Sequence, residues 1–350
     1  MKVHLPVRQA ILRRRTYEAP AEGRFGKIRL DFNENTTGCG AAARKAIQQL
    51  TAKQIALYPE YEKPTDKLAR YFRVRPEELL LTNGGDDALR VFFDTFVESG
   101  SRILTCEPTF PMYRYYAEIA DARVEALRYG PDMELPLAAL LAALRKKPRV
   151  FFLANPNNPT GTLVGKEAIR KLLRAAPHTA VVIDEAYAEF SEISAIPWIH
   201  EFPQLFIART FSKAEGLAGL RLGAVISSRD SLSLVRRAMP PFPVNAAALA
   251  AAVAAIEDGT AIQRYVRGVK RLRAWFKREL EKRNVRVFPS AGNFLLADFG
   301  KRGPALFRKL ERHGILVRER SKDLGPGFVR ITIGTEAELK SLLRHVGRSL

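Results

Sequence analysis

Short apolar, β-branched runs alternate with helical patterns along most of the chain. That alternation predicts an α/β protein with a mainly parallel sheet flanked by helices. Strands are expected over Glu78–Thr82, Arg102–Cys106, Arg123–Leu127, Val150–Ala154, Ala180–Asp184, Leu205–Arg209 and Gly223–Ser227. The runs VFFLA and AVVID read as strands covered on both faces. Between them, helices are expected over Asp86–Glu98, stopped by Gly100, and Gly165–Ala175, stopped before Pro177. The texture changes after the Pro-rich stretch Met239–Pro243. Helical patterns over Ala246–Asp258 and Ile262–Lys282 follow, the second strongly basic with an apolar stripe. Strands over Arg286–Phe288, Phe294–Asp298 and Val329–Ile333 then surround a helix over Ala305–His313. The expected organisation is an N-terminal segment (1–35) that packs on the smaller domain or on a partner subunit, a large domain (36–243) and a smaller α/β C-terminal domain (244–350).

Composition narrows the class. The chain has 350 residues, of which 47% are hydrophobic, enough for a large core and too apolar for a mainly disordered chain. Cys39 and Cys106 have no metal-ligand spacing and the five histidines are scattered, so no metal site is expected. No apolar core follows the N-terminal charges as a signal peptide requires. The longest uncharged run, Ala238–Ile256, is Ala-rich and carries prolines, so it predicts a loop and a buried helix rather than a membrane span. A soluble, cytoplasmic protein is expected. The formal net charge of +20 raises nucleic acid as a partner. The basic residues are spread out, however, without a basic tail or an aromatic-interleaved basic stripe, so no nucleic-acid partner is expected.

Common nucleotide-binding and hydrolase motifs are missing: no GxGxxG, P-loop, GxSxG or HExxH occurs. Four other segments each fall at or just beyond a strand end. They are Asn155-Pro156-Asn157-Asn158-Pro159-Thr160-Gly161, Asp184-Glu185-Ala186-Tyr187, Arg209-Thr210-Phe211-Ser212-Lys213-Ala214, and Gly219-Leu220-Arg221-Leu222-Gly223. Taken singly these are a turn, a helix cap and solvated charges. Together they would converge outside the carboxyl ends of the strands, where open α/β sheets bind ligands. Gly84-Gly85-Asp86, between a strand and a helix, would aim free backbone N–H groups and the helix dipole at one anion.

The runs NPNNPTG, VVIDEAY and RTFSKAEGLAGLRLG resemble the fold-type I pyridoxal-phosphate aminotransferases, and most closely their histidinol-phosphate subgroup. The resemblance extends from about Leu30 to the C-terminus and includes Asp31–Asn35, Leu57–Glu60, Thr82–Asp87, Glu107–Tyr113 and Val329–Thr335. It implies a large domain built on a mainly parallel seven-stranded sheet, and pyridoxal 5'-phosphate as cofactor. Lys213 would carry the cofactor covalently and later act as the base. Asp184 would keep the pyridine nitrogen protonated. Tyr187 and Asn158 would bond the phenolic oxygen, and Phe110 would stack on the ring. Thr210, Ser212 and Arg221 would join Gly84, Gly85 and Asp86 around the phosphate. Tyr58 would reach the phosphate of the other subunit in a homodimer with shared sites. Arg330 would clamp the substrate carboxylate or phosphate. Arg318 is a second subgroup arginine or a surface charge, and Asn293 a pocket residue or a strand-initiating turn. Asn33 belongs to a loop that touches substrate in relatives.

Two departures bear on the substrate. Asn33-Glu34-Asn35 is followed by Thr36-Thr37-Gly38 where the subgroup has proline, and the phosphate loop is Gly-Gly-Asp-Asp where relatives often have Gly-Ser-Asp-Glu. The implied activity is amino transfer from histidinol phosphate to 2-oxoglutarate, a step of histidine biosynthesis. The partners are then a small-molecule amino donor and a 2-oxo acid acceptor. The alternatives are an aromatic amino-acid aminotransferase and a decarboxylase such as one for threonine phosphate. A nucleic-acid-binding regulator on this scaffold would need an added DNA-binding domain, and about 30 residues ahead of the match are too few for one.

Overall fold

The computed structural model describes residues 5–14, 16 and 22–347. Its strands are β1 (Ile28–Leu30), β2 (Leu79–Thr82), β3 (Arg102–Glu107), β4 (Arg123–Arg128), β5 (Val150–Ala154), β6 (Ala180–Asp184), β7 (Leu205–Thr210), β8 (Gly223–Ile226), β9 (Arg286–Val287), β10 (Phe294–Asp298), β11 (Ile315–Glu319) and β12 (Phe328–Thr332). Seven of them form one sheet in the order β2-β8-β7-β6-β5-β3-β4. β8 alone runs opposite to the other six, antiparallel to both β2 and β7.

The central strands are apolar throughout because both faces are covered. Along β5, Phe151 and Leu153 pack into one core, and Val150, Phe152 and Ala154 into the other. Side chains alternate across a strand, so one continuous apolar run feeds both. Helices Gly85–Phe96, Met112–Ile119 and Arg229–Arg236 cover the second face. Each fully buried Val, Leu or Phe here contributes about 1.5–3 kcal/mol.

β1, β11, β12, β10 and β9 form a second sheet in that order, parallel at β1–β11 and antiparallel elsewhere. Helices Thr260–Glu281, Gly303–Arg312 and Glu336–Val346 pack with it. β1 and β11 lack a sequence signal of their own: IRL is three residues long, and ILVRE mixes charge into a short apolar run. β11 is a strand because it pairs with β12, and β1 because it pairs in turn with β11.

Helix Ala246–Asp258 packs on helices Ala41–Gln48 and Glu62–Phe72, with Ala248, Ala251 and Ala252 fully buried. Gly259, in the left-handed region at φ +59, ends it, and the next helix leaves at 74°. No single helix among the described residues is long and apolar enough to cross a membrane.

Part of the N-terminal segment, residues 1–4, 15 and 17–21, lies outside the described residues. The rest touches both layers. Gln9–Leu12 lies against helix Met112–Ile119, where Arg8 donates to the Ile119 carbonyl at 2.7 Å and Arg14 to that of Tyr115 at 3.1 Å. Ile28–Leu30 then becomes an edge strand of the second sheet.

Candidate active site

β5, β6 and β7 run parallel, so their carboxyl ends open at one edge. There a cavity of about 440 Å³ gathers Asn158, Asp184, Tyr187, Thr210, Ser212 and Lys213. Gly85, Asp86, Phe110 and Arg221 line its large-sheet side, and Arg318, Arg320 and Arg330 come from the second sheet. Phe32 and Glu34 complete the wall.

Asp184 sits at the floor. Its Oδ2 accepts from the Tyr113 hydroxyl at 2.7 Å and its Oδ1 from the Ala186 N–H at 3.0 Å. Burial raises the pKa of the carboxyl, and these two hydrogen bonds oppose the shift. Tyr113 is fully buried and stacks on Phe152 with ring centroids 5.1 Å apart. Tyr113 closes the Glu107–Tyr113 run of the resemblance, but the sequence assigns it no role, since an aromatic on a helix face reads as core.

Lys213 Nζ donates to the Phe32 carbonyl at 2.9 Å. Desolvation lowers its pKa to about 8, and the Arg330 guanidinium adds to the effect. The Tyr187 hydroxyl accepts from Asn33 Nδ2 at 2.9 Å and Asn158 Nδ2 at 3.3 Å. Burial raises its pKa, opposed by Arg330.

The anion end is built from backbone. Gly84, at φ +85, leads into helix Gly85–Phe96, whose first-turn amides have no carbonyl of their own helix to bond. A Cβ on Gly84 would stand 2.6 Å from Arg221 Nη2, and one on Gly223 would stand 2.5 Å from the Gly84 carbonyl carbon. Both positions need glycine for this close approach. Arg221, itself left-handed at φ +56, sends Nη2 to Asp86 Oδ2 at 3.2 Å. The Thr210 hydroxyl donates to Ser212 Oγ at 3.0 Å.

The opposite end is cationic. Arg318 and Arg330 stand directly across from one another in the β11–β12 ladder. Like charges so placed repel. Arg330 is 6% exposed and donates to Asn158 Oδ1 and to the Asp31 carbonyl, while its Nε has no hydrogen-bond partner. Desolvation lowers its pKa to about 10, with Arg320 and Arg318 pushing the same way against Tyr187. Arg320 is held by Asp323. Its sequence position, in a run of mixed charge, reads as solvated.

Four expected site residues lie off the wall: Gly84, the turn into helix Gly85–Phe96, and Asn33, Asn293 and Tyr58. Asn33 and Asn293 are fully buried, one layer back. Asn33 holds the Tyr187 hydroxyl and bonds Thr332, and Asn293 Nδ2 donates to the Asn33 carbonyl at 2.9 Å. Their side chains are thus committed to positioning rather than turned to the cavity. Tyr58 is 77% exposed and stacks on Phe242 with centroids 4.3 Å apart, outside its own chain's cavity. Among the described residues no group of three or more His, Cys, Asp or Glu is placed to hold a metal ion.

These donors fit pyridoxal phosphate. A glycine cradle and helix N-terminus face an arginine, a buried carboxyl closes the floor, and a desolvated lysine stands beside them. The fold with this set defines a fold-type I pyridoxal-phosphate transferase. A family model for aminotransferases of class I and II matches residues 26–346, and the chain belongs to that family. Its members use pyridoxal phosphate to move an amino group between an amino donor and a 2-oxo acid.

The chain is 38% identical over 323 residues to histidinol-phosphate aminotransferase 2 of Legionella pneumophila (strain Lens), covering 89% of this chain and 86% of that one. It is 37% identical over 331 residues to the histidinol-phosphate aminotransferase of Geobacillus thermodenitrificans, covering 92% and 90%. Among solved structures, the histidinol-phosphate aminotransferase of Sinorhizobium meliloti in complex with pyridoxal-5'-phosphate aligns with a TM-score of 0.85 at 28% identity, covering 91% of this chain and 89% of that one.

Proposed function

We propose that the chain binds pyridoxal 5'-phosphate and transfers the amino group of histidinol phosphate to 2-oxoglutarate. The amino-donor choice rests on the cationic end of the cavity, where Arg318 and Arg330 face each other beside Arg320. A phosphate monoester relieves that repulsion better than a neutral side chain does. The relatives named above share the activity.

Bound in this cavity, pyridoxal phosphate supplies an electron sink for the carbon that carries the amino group. Arg221, Thr210, Ser212 and the Gly85 and Asp86 amides would hold its phosphate, and Tyr58 of a second copy would complete the cup. Asp184, steadied by Tyr113, would hold the proton of the ring nitrogen. Tyr187 and Asn158 would bond the phenolic oxygen, and Phe110 would cover the ring. Lys213 anchors the cofactor and, with a pKa of about 8, is partly uncharged at neutral pH. Its Nζ can therefore take the proton from the substrate carbon and return it. Arg330 fixes the anionic end of donor and acceptor.

The test is kcat/KM of the cofactor-loaded enzyme for histidinol phosphate, phenylalanine and threonine phosphate with 2-oxoglutarate. Histidinol phosphate is the best donor on this reading. A preference for phenylalanine overturns the phosphate-substrate assignment, and CO2 release from threonine phosphate overturns amino transfer.

A further inference from the structure

A second, buried group of charges lies behind the Lys213 loop and has no part in the scheme above. Glu185 and Glu215 are 1% and 3% exposed. Arg209 Nη1 lies 3.1 Å from Glu189 Oε1 and 3.6 Å from Glu185 Oε2. Glu185 also accepts from the Ser194 hydroxyl at 2.7 Å and the Ala195 N–H at 2.6 Å. The Tyr71 hydroxyl donates to Glu215 Oε1 at 3.3 Å. The other oxygens of Glu189 and Glu215, and Arg209 Nε, have no hydrogen-bond partner. Two carboxyl groups pair with one guanidinium, and the Glu215 carboxyl lies near it without pairing to it.

Chain position gives the cluster its meaning. Glu185 and Glu189 stand two residues either side of Tyr187, Arg209 precedes Thr210, and Glu215 follows Lys213 by two. The loop between them is tightly held. The Leu217 N–H donates to the Phe211 carbonyl at 2.9 Å, and a Cβ on Gly216, at φ +72, would meet the Gly38 carbonyl oxygen at 2.9 Å.

We propose that Glu215 is a positioning residue: bonded to Tyr71 and buried in one cluster with Glu189, Arg209 and Glu185, it holds the Lys213 loop against helix Glu62–Phe72 beside the Tyr187 segment. Burial moves its pKa to about 8, and the Glu189 charge pushes the same way. The groups facing it are Tyr71 from helix Glu62–Phe72, Glu185 and Glu189 from the segment after β6, and Arg209 from β7. Across a cavity of about 420 Å³ that Glu215 also lines stand Cys39, Asp258, Arg264 and Tyr265. Ionised, Glu215 places an unpaired negative charge beside the Glu189–Arg209 pair in a low-dielectric site. This hold therefore persists below about pH 8 and loosens above it. The catalytic consequence rests on the function proposed for Lys213.

The test compares Glu215→Gln and Glu215→Ala with wild type. In the loaded enzyme, Ala lowers kcat roughly tenfold with KM within about twofold, and Gln, which keeps the uncharged shape, restores most of it. Wild-type kcat falls above about pH 8 and the Gln variant's does not, whereas proton loss from Lys213 acts in the opposite sense. Melting of the cofactor-free protein supplies a readout independent of activity. Wild type loses stability relative to Glu215→Gln as the pH rises from 5 toward about 8. Parallel melting profiles for wild type and Gln overturn the proposal. So do equal kcat values for Ala and Gln, or an unchanged alkaline limb in Gln. If no version of the enzyme transaminates, the functional reading fails and the melting profile alone decides the cluster. Should the Ala variant not fold, the Gln comparisons stand unaided.

Discussion

Replacing Tyr113 by Phe removes one oxygen and leaves the packing. The ring stays fully buried, stacked on Phe152 at 5.1 Å and edge-on to Phe110 at 6.0 Å. What is lost is the 2.7 Å hydrogen bond to Asp184 Oδ2, while the Ala186 N–H still reaches Oδ1 at 3.0 Å. A hydrogen bond to a charged group contributes about 1.5–3 kcal/mol. Losing that bond pushes the Asp184 carboxyl further up. Its folded pKa is already raised by burial. Stability from a raised acid is fully present below the unfolded value and is lost as pH climbs to the folded one. The variant extends that loss to higher pH, so it is less stable than wild type near neutrality and closer to it in acid. At about 1.4 °C per kcal/mol for a chain of this length, the cofactor-free protein should melt roughly 2–4 °C lower at pH 7.5. In the loaded enzyme the acid limb of kcat/KM should move to higher pH, because Asp184 must be ionised to hold the ring-nitrogen proton. Differential scanning fluorimetry from pH 5 to 8 and a pH–rate profile read both. An equal melting difference at every pH, with an unmoved acid limb, would show that the hydroxyl serves packing and refute the reasoning.

Three further outcomes follow from the same geometry. Borohydride should fix pyridoxal phosphate to Lys213, and Lys213→Ala should abolish transamination yet keep non-covalent binding; peptide mapping to another lysine would refute the assignment. Tyr58→Phe should weaken cofactor binding by roughly 1–2 kcal/mol. Mixing inactive Tyr58 and Lys213 variants should restore some activity, and no recovery after verified subunit exchange would remove the shared site. Arg318→Ala should cut kcat/KM for histidinol phosphate by roughly tenfold or more while sparing phenylalanine and 2-oxoglutarate, as expected for a charge-assisted bond to phosphate. An equal loss for all three would make Arg318 a general surface charge.

The seven strands of the large sheet are legible because each is a short apolar run between breakers, and their central members are apolar on both faces. The motif residues are legible because parallel strands must end together, which brings Asn158, Asp184, Thr210 and Lys213 to one edge whatever else the chain does. Local pattern could not show what distant pairing creates. β1 and β11 are strands only because β12 and each other supply their hydrogen bonds. That pairing sets Arg318 against Arg330 and brings Arg320 to the same cavity. Tyr113 looks like core until the fold places Asp184 above its hydroxyl. Asn33 and Asn293 look like pocket residues until their amides are committed behind Tyr187. Periodicity and motif thus determined which residues carry chemistry, since those signals are local. Tertiary structure alone decided which of them touch, which lie one layer back and which charges are buried together, because burial and register join residues hundreds of positions apart.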